Sequence, residues 1–135
     1  MIINYWAVLV AGIVNMALGA FWYSPMGFGK PWMALMGYTP ESMKGKKDGM
    51  GQKYLINFIG ALVMAYVLAR FVFAANAIDW QGGLHIGLWV WLGFIATTML
   101  GSILWEGKKF KLYAINSGYY LVGLGLMGMI LATWR

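Results

Sequence analysis

Residues 112–134 read LYAINSGYYLVGLGLMGMILATW, without one charged side chain. A bilayer core is about 30 Å thick, and about 20 apolar helical residues cross it. Residues 1–29, 54–69 and 86–105 are equally free of charge. These runs occupy most of the 135 residues, and 61% of the chain is hydrophobic while only 10% is charged. Soluble domains carry about 25% charged residues. A chain this short cannot hide four all-round apolar helices from water, so lipid is the solvent its composition demands.

The runs predict helices over 2–23, 54–73, 84–105 and 112–134 in a single transmembrane domain. The fold class is therefore all-α, an integral-membrane four-helix bundle. Ala17-Leu18-Gly19-Ala20 has the small residues of a signal cleavage site, but no Lys or Arg precedes the apolar run, so a retained first helix is expected. Ser24-Pro25 ends that helix, because proline disfavours helical geometry in the residue before it. The long loop 24–53 has room for short helices. Pro31 suits the first position of an interfacial piece over Trp32–Met36 stopped by Gly37, and Thr39-Pro40-Glu41 reads as a second start.

Orientation follows from the basic residues. Lys30, Lys44, Lys46, Lys47 and Lys53 fall in the first loop and Lys108, Lys109 and Lys111 in the last; Arg70 and Arg135 lie on the other side. This asymmetry puts both loops in the cytoplasm and both termini outside a bacterial inner membrane. The net charge of +6 is thereby explained by loops beside anionic lipid rather than by nucleic acid. Tyr5, Trp6, Trp80 and Trp134 then form an outer aromatic belt, and Trp22, Tyr23, Tyr54, Trp105 and Tyr113 an inner one.

The halves show a short repeat. Leu18-Gly19-Ala20 matches Leu100-Gly101-Ser102, and Tyr54-Leu55-Ile56-Asn57 matches Tyr113-Ala114-Ile115-Asn116. Two parallel-repeat helical hairpins would give this pattern, with chance similarity in a biased composition as the competing reading.

Lipid offers helices no hydrophobic reason to associate, so close backbone approach and interhelical hydrogen bonds must hold the bundle. The expected seams are Ala7, Ala11, Asn15 and Gly19 on the first helix, and Asn57, Ala61, Ala65 and Ala69 on the second. On the third and fourth they are Gly93, Thr97 and Gly101, and Ala114, Gly118, Gly125, Gly128 and Ala132. Asn15, Asn57 and Asn116 sit on or beside these seams. As structural amides each supplies about 0.6–2 kcal/mol; as pore-lining amides they face a solute.

Other groups carry two readings as well. Trp89, Trp91, Tyr66, Tyr119 and Tyr120 fall inside the bilayer, where they pack against glycine or line a pocket for flat ligands. Arg70, Asp79 and His85 form a polar outer mouth or a set of independently solvated groups. Trp22, Tyr23, Pro25, Trp32 and Glu106 mark the inner mouth. No carboxylate lies deep in the bundle, which argues against proton-driven antiport. Cysteine is absent, and Met33 and Met36 make a poor copper pair without it. No phosphate loop, catalytic triad or zinc spacing is present, so neither an enzyme nor a bound metal or cofactor is expected.

The run Gly19-Ala20-Phe21-Trp22-Tyr23-Ser24-Pro25, followed by Phe28-Gly29-Lys30-Pro31-Trp32 and Met36-Gly37-Tyr38-Thr39-Pro40-Glu41, resembles the family called domain of unknown function 1761. The resemblance extends over nearly the whole chain. It implies a small four-helix membrane protein and carries no catalytic residues with it. Function is expected to be that of a homo-oligomeric, dimer-favouring transporter or channel-like protein for a small solute. The alternative is an accessory subunit that binds another membrane protein.

Overall fold

The computed structural model describes residues 2–45 and 49–135. Lys46, Lys47 and Asp48, which enter the loop charge above, lie outside the described residues. The order is α1 (Tyr5–Trp22), α2 (Gly29–Met36), α3 (Pro40–Lys44), α4 (Met50–Ala74), α5 (Trp80–Leu104) and α6 (Phe110–Thr133). Of these, α1, α4, α5 and α6 are long and apolar enough to cross a membrane. The protein is all-α, with four candidate membrane spans and short helices between the first and second.

Local chemistry explains the helix ends. Asn4 caps α1, its side-chain oxygen accepting from the backbone N–H of Trp6 at 3.0 Å and Ala7 at 3.3 Å. Asp79 caps α5 by accepting from Gly82 N at 2.8 Å. Gly37 closes α2 in the left-handed region at φ 75°, with Tyr38 N donating to Met33 O at 2.9 Å. Thr39 and Ser42 form a reciprocal capping box on α3, whose first residue is Pro40. Asn76 takes a left-handed φ of 55° after α4, where Asn76 N reaches Phe73 O and Ala77 N reaches Val72 O.

Several elements begin earlier than the sequence pattern expects. α4 starts at Met50 rather than residue 54, and α5 at Trp80 rather than residue 84. At α5 the Asp79 cap sets the early start, whereas α4 follows Gly49, which lies in the left-handed region and gives no side-chain cap. α2 starts at Gly29, which makes Pro31 its third residue and not its first. Within α5, Trp91–Ala96 is wound as π-helix, a looser turn with one extra residue.

α6 is the central helix, packed on α1, α4 and α5. Half of its most apolar window (50%) is buried, against 11% for α5. Ala7, Val8 and Ala11 of α1, Ala65, Leu68, Ala69 and Val72 of α4, and Leu124, Met127 and Leu131 of α6 make the core. Ala7, Ala11 and Asn15 of α1, Ala61, Ala65 and Ala69 of α4, and Gly125, Gly128 and Ala132 of α6 thus lie buried as expected, whereas Gly19 is half-buried and Asn57 and Ala114, at the other ends of these seams, are exposed.

The expected seam of α5 is corrected. Gly93 and Thr97 are exposed, and a Cβ on Gly93 would meet nothing within 4 Å. Gly83 and Gly87 make the contact instead. A Cβ on Gly83 would fall 2.6 Å from the Gly128 carbonyl carbon, and one on Gly87 2.8 Å from that of Leu124. Two helices approach this closely only with glycine at the crossing. The motifs of the proposed repeat also stand in unequal surroundings: Tyr54 is exposed, whereas the Tyr113 hydroxyl donates to Ala96 O at 2.8 Å.

Candidate functional site

The chain leaving α1 folds into a tight turn that brings two aromatic side chains back onto the bundle. Tyr23 N donates to Gly19 O at 3.1 Å, and the Ser24 hydroxyl to Phe21 O at 2.6 Å. Phe28 N then returns to Trp22 O at 2.6 Å, while Gly27 N and Gly29 N both reach Ser24 O. A Cβ on Gly27 would lie 2.6 Å from Phe21 O, and one on Gly29 2.7 Å from Ser24 O. Only glycine fits those two positions, because backbone occupies the space a side chain needs. Pro25 is exposed at the outside of the turn, where its missing N–H leaves nothing unsatisfied.

Trp22 and Tyr23 dock on α6 as a result. Trp22 Nε1 donates to Ile115 O at 2.9 Å, and its ring lies over Gly118. The Tyr23 hydroxyl donates to Asn116 Oδ1 at 2.9 Å. Trp32 meets Tyr23 edge-on at 5.5 Å, Tyr38 meets Trp32 at 5.5 Å, Phe28 covers Trp22 at 4.8 Å and Tyr119 approaches Tyr23 at 5.7 Å. Edge-to-face pairs of this kind contribute about 0.5–1.5 kcal/mol beyond burial. Trp22 and Tyr23 are therefore internal ties and not free belt anchors.

Beside this cluster, α1, α4 and α6 part to leave a cleft of about 530 Å³. Met16, Gly19, Ala20 and Tyr23 form one wall, Tyr54 and Asn57 another, and Tyr119 the floor. The Tyr119 hydroxyl donates to the backbone carbonyl of Asn15 at 2.9 Å. It passes over Gly19, where a Cβ would stand 3.0 Å from the oxygen. Asn57 Nδ2 faces Met16 Sδ at 3.3 Å, a soft and weak acceptor. Among the described residues, none that lines the cleft is charged.

The family model described as Protein of unknown function (DUF1761) matches residues 6–132. The chain belongs to the DUF1761 family. The match spans all four long helices together with the turn, the aromatic cluster and the cleft. No curated protein and no solved structure matches the chain.

In this DUF1761 chain the three amides have different fates. Asn15 is buried, and among the described residues its Oδ1 has no hydrogen-bond partner. That oxygen lies against Gly123, where a Cβ would come within 2.6 Å of it. Asn57 opens onto the cleft, and Asn116 holds Tyr23. Tyr119 and Tyr120 pack together at 4.9 Å, but only Tyr119 reaches the cleft. Trp91 is half-buried and donates Nε1–H to Ser117 O at 2.7 Å.

Trp89 is a correction: it is 70% exposed and lies with Phe71, Ile86 and Phe94 on the outside of the bundle. Trp89 and Trp91 stand about 200° apart around a helix of 3.6 residues per turn, so they cannot share a face. The three residues expected at the outer mouth each have their own setting. Arg70 donates to the Tyr66 hydroxyl at 3.1 Å, Asp79 caps α5 and His85 is exposed. Among the described residues no hydrogen bond joins the three. Glu106 is exposed beside Trp105 and Ser102 at the end of α5, apart from the aromatic cluster. Met16, Gly19, Ala20 and Tyr54 complete the cleft without having been singled out as lining. The four-residue spacing of Asn15 and Gly19, and of Ala61 and Asn57, was the available signal.

Proposed function

We propose that this protein is a non-enzymatic, homo-oligomeric membrane transporter whose solute site is the cleft between α1, α4 and α6. The observation that carries this reading is the cleft itself. It gathers Tyr23, Asn57 and Tyr119 on otherwise apolar walls, which is the composition of a small-molecule site. It opens at the end of the bundle that bears the 24–53 loop, assigned to the cytoplasm by the lysine asymmetry. Beyond the cleft the bundle closes, since Asn15, Leu124 and Met127 are buried. Passage therefore requires helix movement or a route between protomers. The sparsely covered α5, with Gly93 and Thr97 outward, is the surface we assign to a second copy.

The same closed core favours a second reading, a non-transporting accessory subunit that recognises another membrane protein. Native mass spectrometry of gently extracted protein separates the two. A homodimer retaining a small molecule supports transport. A ligand-free chain carrying a stoichiometric partner supports the accessory role and overturns the first reading. A reporter fused after Arg135 tests the orientation and should read outside.

A further inference from the structure

We infer that the cleft takes a small, uncharged, flat ligand that brings hydrogen-bond donors, such as an aromatic alcohol or phenol, and that it turns away carboxylates and phosphates. This deepens the solute-site reading above and rests on it. The inference comes from where the protons of the wall already go. A phenol has one proton and further lone pairs. The Tyr23 proton is committed to Asn116 Oδ1 and the Tyr119 proton to the Asn15 carbonyl, both at 2.9 Å. Both hydroxyl oxygens can then only accept from a ligand in the cleft. Asn57 turns its Nδ2 to Met16 Sδ, which leaves its Oδ1 as a third acceptor. The polar part of the wall thus presents three acceptors, with the Tyr54 hydroxyl and the second Asn57 N–H as its donors.

Charge narrows the class further. An anion needs cationic partners or several converging donors, and among the described residues the lining holds no cation and offers as donors only the Tyr54 hydroxyl and the Asn57 amide N–H. Lys53 lies one turn from Asn57 on α4, but it stands outside the wall. A cation gains from tyrosine faces. Yet among the described residues no carboxylate lines the cleft to offset its desolvation, and Lys30, Lys44 and Lys53 make this end of the protein positive. An uncharged donor meets the acceptors at no such cost, and its flat apolar body meets the rings and Met16.

The test compares four probes of one shape by fluorine NMR, using the full chain in detergent micelles. They are para-fluorobenzyl alcohol, its methyl ether, para-fluorobenzylammonium and para-fluorobenzoate. Ala20→Trp, which plugs the cleft from an exposed position, subtracts partition into the micelle; circular dichroism checks that it folds. Asn57→Leu, also exposed, is the second site control. The expected result is about tenfold tighter binding of the alcohol than of the ether, since removing a donor leaves acceptors unmet. The benzoate should be weakest, and Asn57→Leu should narrow the gap between alcohol and ether. Equal binding of alcohol and ether, or tighter binding of benzoate or ammonium, overturns the ligand class and leaves the site standing. If no probe distinguishes the native chain from Ala20→Trp, the solute-site reading falls as well.

Discussion

Alanine at Gly87 and alanine at Gly93 should move stability in opposite directions, although both residues lie on α5. At Gly87 the new Cβ would sit 2.8 Å from the Leu124 carbonyl carbon and 3.1 Å from Gly125 Cα. Both are backbone atoms, so no rotamer change relieves the clash. An ordinary carbon contact is about 3.5 Å, so α5 must retreat from α6 by about 0.7 Å. Overpacking of this kind costs about 1–3 kcal/mol. The better helix propensity of alanine returns at most about 1 kcal/mol. With the full return, the net expectation is a loss of up to about 2 kcal/mol. At Gly93 nothing in the same chain lies within 4 Å, so within one protomer only the propensity gain remains. Gly83→Ala should resemble Gly87→Ala, and the double variant should cost less than the sum, because one retreat of α5 relieves both contacts. Reversible unfolding in mixed micelles, followed by tryptophan fluorescence across an SDS titration, measures each midpoint. Gly87→Ala matching or exceeding the native midpoint, or the two variants shifting together, would refute the packing argument.

The turn and its docking give further expectations. Gly27→Ala and Gly29→Ala should each strongly reduce the yield of folded protein, as read by size-exclusion chromatography, because their Cβ atoms would overlap backbone. Trp22→Phe keeps a ring over Gly118 and loses the bond to Ile115 O, for about 0.5–1.5 kcal/mol in the same titration. Asn15→Leu should be close to neutral or stabilising, because it removes a buried oxygen that has no partner. Gly123→Ala should destabilise the native chain and do so much less in the Asn15→Leu background, since Asn15 Oδ1 is the atom it strikes.

The four spans were legible in the sequence because lipid imposes one rule, a long uncharged helix, and the chain obeys it in every run. The seams of α1 and α4 were legible for a related reason: small residues four apart lie on one helix face. α5 defeated the same reasoning. It holds two candidate stripes, Gly83–Gly87 and Gly93–Thr97–Gly101, and an apolar helix in lipid shows no polar side to rank them. Six residues separate Gly87 from Gly93, about 240° around a helix, so the two stripes cannot share a face, and the π-helical turn at Trp91–Ala96 that contains Gly93 has no marker in the residue pattern. In the candidate site, Asn57, Tyr23 and Tyr119 were named from their types alone. Their meeting was hidden, because it depends on long-range bonds such as Tyr23 to Asn116 and Tyr119 to Asn15. Trp22 and Tyr23 looked like interfacial anchors because a tryptophan beside a helix end is the same letter whether it faces lipid or donates to Ile115 O.

The central position of α6 has a consequence for how the protein is made. Synthesis runs from the amino terminus, so α1, α4 and α5 leave the ribosome before the helix on which they all pack. Until α6 arrives, Gly83 and Gly87 have no opposing backbone, and the Asn15 carbonyl has no tyrosine proton to accept. α1 and α4 can already meet each other where Gly12 faces Leu62, but α5 has little to hold it. Docking of α6 is therefore the step that joins α5 to the α1–α4 pair, and the glycine crossing and the tyrosine bond form with it.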